Sequence, residues 1–167
     1  MDPLAGTAPM DTSPKSLPLL FSYRDTLFGP GVLIEVRVFN GRALYVEEAD
    51  GGWLYGVNPG GMAAPGASLQ DAHLAFRQAF SSVLVDLILD TKSEGEFRAV
   101  VERFVHETND AYEAEWRAAV ETIRTLAVNP TALPTAPADS PLRVEVVVRQ
   151  QSQVSDNVAQ SDALLAA

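Results

Sequence analysis

Between Leu19 and Val57 apolar positions recur at alternate residues, the period of strands with one buried face. Val32, Ile34, Val36 and Val38 point one way, while Glu35 and Arg37 fall on the other face. That places Glu35 in solvent, paired across strands with Arg37 or Arg42. Leu19–Phe28 forms a preceding strand, closed by Gly29-Pro30-Gly31. Asn40-Gly41 carries the signal of a type I′ turn and separates 32–39 from a further strand at Arg42–Glu48. Asp50-Gly51-Gly52, between LYVEE and WLYGV, is a second hairpin signal and leads into Trp53–Val57. The pattern predicts an antiparallel meander of about four strands, with connections too short for crossovers.

From Ser68 the period changes to that of helices. Leu69, Ala72, Phe76, Ala79, Phe80, Val83, Leu87 and Ile88 make a broad apolar stripe suited to packing on a sheet. Ser68 with Asp71 is a variant capping box, and Ser93 with Glu96 opens a second helix carrying Phe97, Val100, Val101 and Phe104. Asn109 or Asp110, with Glu113, opens a third through Tyr112, Trp116, Ala119, Val120 and Ile123. After a Pro/Ala-rich stretch, Leu142–Val148 is a β-branched run and a further strand.

The predicted class is α+β: an antiparallel sheet of about four strands packed by one long helix, then two further helices and a C-terminal strand. Residues 1–16 read as a disordered leader, 17–128 as the folded domain, 129–141 as a linker, and 142–167 as a strand and arm. The arm either returns to the sheet edge or reaches a second protomer, and self-association through it is expected.

Charge and composition then narrow the function. The chain of 167 residues has a formal net charge of −10, and its twelve Lys and Arg are scattered without a basic run. This argues against direct nucleic-acid binding, which needs clustered cations, and favours a basic protein partner. The absence of Cys excludes disulfides and thiolate metal sites. No charged and then apolar leader opens the chain, and the apolar run Val83–Leu89, interrupted by Asp86, falls short of a bilayer span. A cytoplasmic protein without membrane contact is expected.

Residues 44–90 also carry a family pattern. In order stand Tyr45–Glu48, Asp50-Gly51-Gly52, Trp53-Leu54-Tyr55-Gly56-Val57, Asn58-Pro59-Gly60-Gly61 and Gly66-Ala67-Ser68-Leu69-Gln70-Asp71-Ala72. This segment resembles the HicB-like antitoxin domain, a partial ribonuclease H-like fold. Met62-Ala63-Ala64-Pro65 stands where that family usually has Pro-Gly-Cys, and the helices at 93–126 and the last strand are additions. The resemblance implies a non-enzymatic protein that binds and neutralises a small basic ribonuclease toxin.

Residues able to do chemistry are few. His73 and His106 lack metal-ligand spacing and read as structural or surface residues. Asp25, Glu35, Glu48 and Asp50 are the carboxylates a ribonuclease H-type metal site would need, but a nuclease this acidic would bind its substrate poorly. Gly51-Gly52 and Gly60-Gly61 are turns, and Trp53, Tyr55, Tyr112 and Trp116 read as core aromatics or the walls of a ligand pocket. No catalytic residue, metal or cofactor is expected. The expected partner-binding residues are Glu47, Glu48 and Asp50 at the hairpin tip and Leu142, Val144, Val146 and Val148 on the arm. Two other readings compete: a structural protein assembling through the arm, and a sensor using the aromatic cluster.

Overall fold

A computed structural model describes residues 16–29, 31–126 and 140–150. The fold is α+β, with strands β1 (Ser16–Gly29), β2 (Val32–Glu48), β3 (Gly51–Asn58) and β4 (Ala63–Gly66), then helices α1 (Leu69–Asp90), α2 (Glu94–His106) and α3 (Asp110–Leu126), and finally β5 (Arg143–Gln150). The sheet order is β1-β2-β3-β4, all antiparallel, and β5 returns to pair with β2. The expected leader, linker and tail lie outside the described residues except at their ends, where Ser16 opens β1, Ser140 and Pro141 precede β5, and β5 runs to Gln150.

The expected turn at Asn40-Gly41 is a bulge inside one long strand. Phe21 faces Gly41 and Tyr23 faces Val38, so Phe39 and Asn40 together stand opposite Ser22. Asn40 has φ 59°, the left-handed region that Asn tolerates. The Phe21 ring lies where a Gly41 side chain would start, so only glycine fits there. A bulge adds one residue, so it exchanges the faces of everything beyond it. Before it, Ile34, Val36 and Val38 enter the main core; after it, Ala43 and Tyr45 do, and Leu44 turns to the opposite face.

β2 is therefore a spine with two different neighbours on one side. Its first half pairs with β5, Val36 opposite Val146, and its second half pairs with β3, Tyr45 opposite Leu54. The hairpin to β3 turns through Ala49 and Asp50, and Gly51 already belongs to the strand at φ 137°. β4 lies in what reads as loop sequence, because Ala63-Ala64-Pro65-Gly66 has little strand propensity; Pro65 is tolerated at the sheet edge.

The helices cover both faces. Ser68 caps α1 by accepting from the Asp71 N–H, and Ser93 caps α2 by accepting from the Glu96 N–H. At α3 the Asn109 Oδ1 accepts from the Tyr112 N–H at 3.4 Å, so Asn109 is the cap. Phe76, Phe80 and Leu84 of α1 and Phe97, Val101 and Val105 of α2 complete the main core with the valines of β2 and with Val146. On the other face α3 seats Trp116 against Leu44 and Val57, with Tyr112, Ala119 and Val120 beside it. The two later helices thus do different work, α2 extending the core and α3 forming a second layer. By length and composition α1 is apolar enough to cross a membrane, though Ala72, Phe76, Phe80 and Leu84 along one side are buried in this core.

A polar strut joins the two sides where β3 ends. Asn58 is buried; its Oδ1 accepts from the Arg42 guanidinium and its Nδ2 donates to Thr108 Oγ1 at 2.7 Å. Arg42 Nη1 lies 2.9 Å from Glu113 Oε1, and its guanidinium stacks 5.6 Å from the Trp116 ring centre. Backbone bonds Gly60 N to Glu107 O (2.8 Å) and Asn109 N to Val57 O (3.1 Å) fasten the α2–α3 loop there.

Candidate partner-binding surface

The hairpin tip brings an aromatic ladder beside carboxylates. Trp53 and Tyr55 alternate with core-facing Leu54, which turns both toward the α3 side of the sheet. The first helical turn of α3 then lays Tyr112 against Tyr55. Trp53 and Tyr55 stack with ring centres 6.0 Å apart at 17°, and Tyr55 and Tyr112 at 4.2 Å and 16°. These three rings lie directly on one another, so they form a filled surface; Trp116 is buried beneath α3. Trp53, at its outer end, is 36% exposed.

Charge around this ladder is negative. Burial raises the Tyr55 hydroxyl above its ordinary value; the Tyr112 hydroxyl and then the Glu48 and Glu115 carboxylates push it the same way. Glu48 shares the face of Trp53 because it lies two residues beyond Val46, the partner of Trp53 across the hairpin. Glu47 projects to the opposite face with Tyr45, and Asp50 stands in the turn; all three acids are exposed. An exposed tryptophan supported by two tyrosines and rimmed by acids suits a partner with cationic side chains, through anchoring and cation–π contact.

The arm residues are elsewhere and otherwise employed. Val144, Val146 and Val148 stand opposite Val38, Val36 and Ile34, and with Leu142 they pack on the main core. Val146 is 4% exposed. The strand takes the first of its two routes, back to its own sheet, because its alternating valines complete the apolar face of β2. Arg98 of α2 donates to the Val146 carbonyl at 2.7 Å, occupying part of the free edge. These four residues therefore offer a partner little apolar surface, and the hairpin acids and the arm are not brought together.

The other polar groups are positioned by structure. Glu35 is a correction: it is 5% exposed, covered by Arg37 and by Arg24, whose Nε is 2.9 Å away. The Arg37 hydrogen bond, helped by Arg24, holds its carboxyl below the usual range despite desolvation. Asp25 faces α1, accepting from Tyr23 Oη at 2.6 Å, Ser81 Oγ at 2.7 Å and the Thr26 N–H at 2.8 Å. Burial opposes its ionisation, but those hydrogen bonds prevail and hold the carboxyl low. Asp25 and Glu35 sit on opposite faces of the sheet, Asp25 beside Val36 on the core side. Among the described residues no three of His, Asp and Glu are placed to hold a metal ion. His106 is exposed, its Nδ1 2.9 Å from the Glu102 carbonyl. His106 also borders a polar cleft of about 400 Å³ with Asn40, Arg42, Asn58, Thr108 and Arg117. The strut described above uses the whole amide of Asn58 and three of the five guanidinium N–H donors of Arg42 there.

Comparison with known proteins gives no relative: no family model, no curated protein and no solved structure matches the chain. The sequence signal for this surface was the aromatic alternation at Trp53 and Tyr55 and the acids at 47–50. Tyr112 and Glu115, more than fifty residues away, join them only through the seat of α3.

Proposed function

We propose that this chain is a non-catalytic protein-binding module, a HicB-like antitoxin or a relative, whose hairpin-tip surface captures a small basic protein such as a ribonuclease toxin. The observation that carries the reading is the Trp53–Tyr55–Tyr112 ladder with Glu48 and Glu115 around it. Such a surface supplies an aromatic anchor at low ordering entropy, and its carboxylates steer a cationic partner. The order of hairpin, Pro/Gly loop and capped helix over residues 44–90 supports the same reading. A ribonuclease that grips phosphate must present cations, and an acidic surface covers them. A homo-oligomer and a cytoplasmic location are compatible with this role.

The test is co-expression of the full chain with the product of the short reading frame adjoining its gene, followed by affinity capture and light scattering. A basic product that co-purifies, and is lost with Trp53→Ala together with Glu48→Lys, supports the reading. An adjoining product that is not basic, fails to co-purify, or ignores both substitutions overturns it.

A further inference from the structure

The side of the sheet opposite α1 divides at the bulge. Beyond Gly41 it lies under α3, through Leu20, Leu44, Val46 and Val57. Before Asn40 it is a three-stranded face of β1, β2 and β5 on which, among the described residues, none of the three helices is packed. The registers define its rows: Phe28, Leu33 and Arg149; Thr26, Glu35 and Val147; Arg24, Arg37 and Glu145; then Phe39 and Arg143. Residues that are scattered along the chain are thereby gathered. Four of its twelve Lys and Arg stand on this one face, all of them arginine. Glu35 and Glu145 are the only carboxylates in those rows, so two positive charges are in excess on a protein of net charge −10.

Nucleic acid is disfavoured by the net charge of −10 and by the scatter of the cations; the register removes the scatter for this face, while the overall charge stays acidic. We propose that the open face of β1, β2 and β5 binds a single-stranded nucleic acid segment. The cations alone would suit any anion; the aromatic residues decide the class. Phe28 is 75% exposed, with no burial to justify a phenylalanine there. Phe39 already carries a stacked guanidinium, Arg143 Cζ lying 4.4 Å from its ring centre. Exposed rings and planar guanidinium groups both stack on bases, whereas an acidic peptide would pair with the guanidinium groups and leave the rings unused. A duplex fits poorly, since its major groove admits a helix or a two-stranded ribbon and this face is three strands wide. A second copy placed face to face would oppose like charges. Arg24, 68% exposed, would leave its 2.9 Å pair with Glu35, which keeps Arg37, and Arg143, 62% exposed, its 3.4 Å pair with Glu145, to reach phosphate. The inference is independent of the hairpin surface, which lies along the other half of β2.

The experiment is fluorescence anisotropy of a labelled oligothymidylate of about twelve nucleotides titrated with the full chain. Binding is expected at roughly 10–100 µM, weakening between about 50 mM and 200 mM salt with a log–log slope near about −1.4, as two neutralised phosphates give. Phe28→Ala should weaken it about five-fold or more, and Arg149→Glu should weaken it and flatten the slope. Both positions are exposed, and circular dichroism checks that each variant is folded. No binding by the wild-type chain overturns the proposal. So does binding that both variants retain, or equal competition by a duplex or by a polyglutamate peptide.

Discussion

The half of β2 before Asn40 is covered by helices on one face, whereas the half after Gly41 is covered on both. In the second half Leu44 and Val57 are completely buried under α3 while Tyr45 and Leu54 are buried on the α1 side. In the first half Val36 and Val38 are completely buried, but their neighbours Glu35 and Arg37 look outward among arginines. One added residue makes the difference. By exchanging the faces, the bulge lets a single strand serve a two-sided core at one end and a one-sided core at the other. The two ends also differ in sign, the hairpin end acidic and aromatic, the β5 end rich in arginine.

Four outcomes would break or sharpen that comparison. The largest concerns packing. Leu44→Ala should cost about 2–5 kcal/mol, because the helix above it cannot fully close the cavity, while Leu33→Ala on the open face should cost under about 1 kcal/mol. Urea unfolding compares them, and equal losses would mean the two halves are covered alike. Next is Trp53→Ala, which should weaken binding of the basic partner about thirty-fold, the loss typical of an anchor residue, and change the urea midpoint little. A large loss of stability with unchanged affinity would return Trp53 to the core.

A smaller effect lies at the edge of β5. Arg98→Ala should cost about 1 kcal/mol, since Arg98 is half exposed and water partly replaces its bond to Val146. It should also promote association at high concentration, visible by light scattering, by freeing the strand edge. A variant that stays monomeric would show that Arg98 does not guard it. The smallest effect per group is on acid sensitivity. Asp25, Glu35 and Glu113 all have carboxyls held below their unfolded values. Their contribution is complete above the unfolded carboxylate range of about pH 4 and is lost as pH falls through the folded values. Asp25→Asn should flatten the fall of the urea midpoint below about pH 4, and an unchanged acid limb would contradict the Tyr23–Ser81–Asp25 bonding.

What was legible in the sequence was local. The caps at Ser68 and Ser93 act within a single turn of helix, so their spacing identifies them before any fold is known, and it narrows the third to Asn109 or Asp110. Asn40-Gly41 shows the limit, since the same pair suits a hairpin turn and a bulge. The choice belongs to β1, which reaches back to Ser16 and pairs along both halves of β2. β4 was hidden because pairing with Trp53 and Leu54, rather than its own Ala and Pro residues, makes it a strand. Alternation puts Glu35 on the correct face but in the wrong environment, because Arg37 and Arg24 close over it. Of the candidate surface, Glu48, Asp50, Trp53 and Tyr55 could be read from the hairpin. Tyr112, Glu115 and the gathering of Arg24, Arg37, Arg143 and Arg149 depend on long-range register, which alternation alone does not supply.

The most direct test of two opposed surfaces on one sheet is a pair of amide chemical-shift titrations on the isotope-labelled full chain. One uses the oligothymidylate and the other the product of the reading frame adjoining the chain's gene, which the proposed function requires to be basic. The account predicts two separate sets of shifts. The oligonucleotide should move Phe28, Leu33, Arg37 and Arg149, and the basic protein should move Glu48, Trp53, Tyr55 and Tyr112, with the bulge at Asn40 as the boundary. Shifts from both ligands on one common set of residues, or none from either, would contradict it.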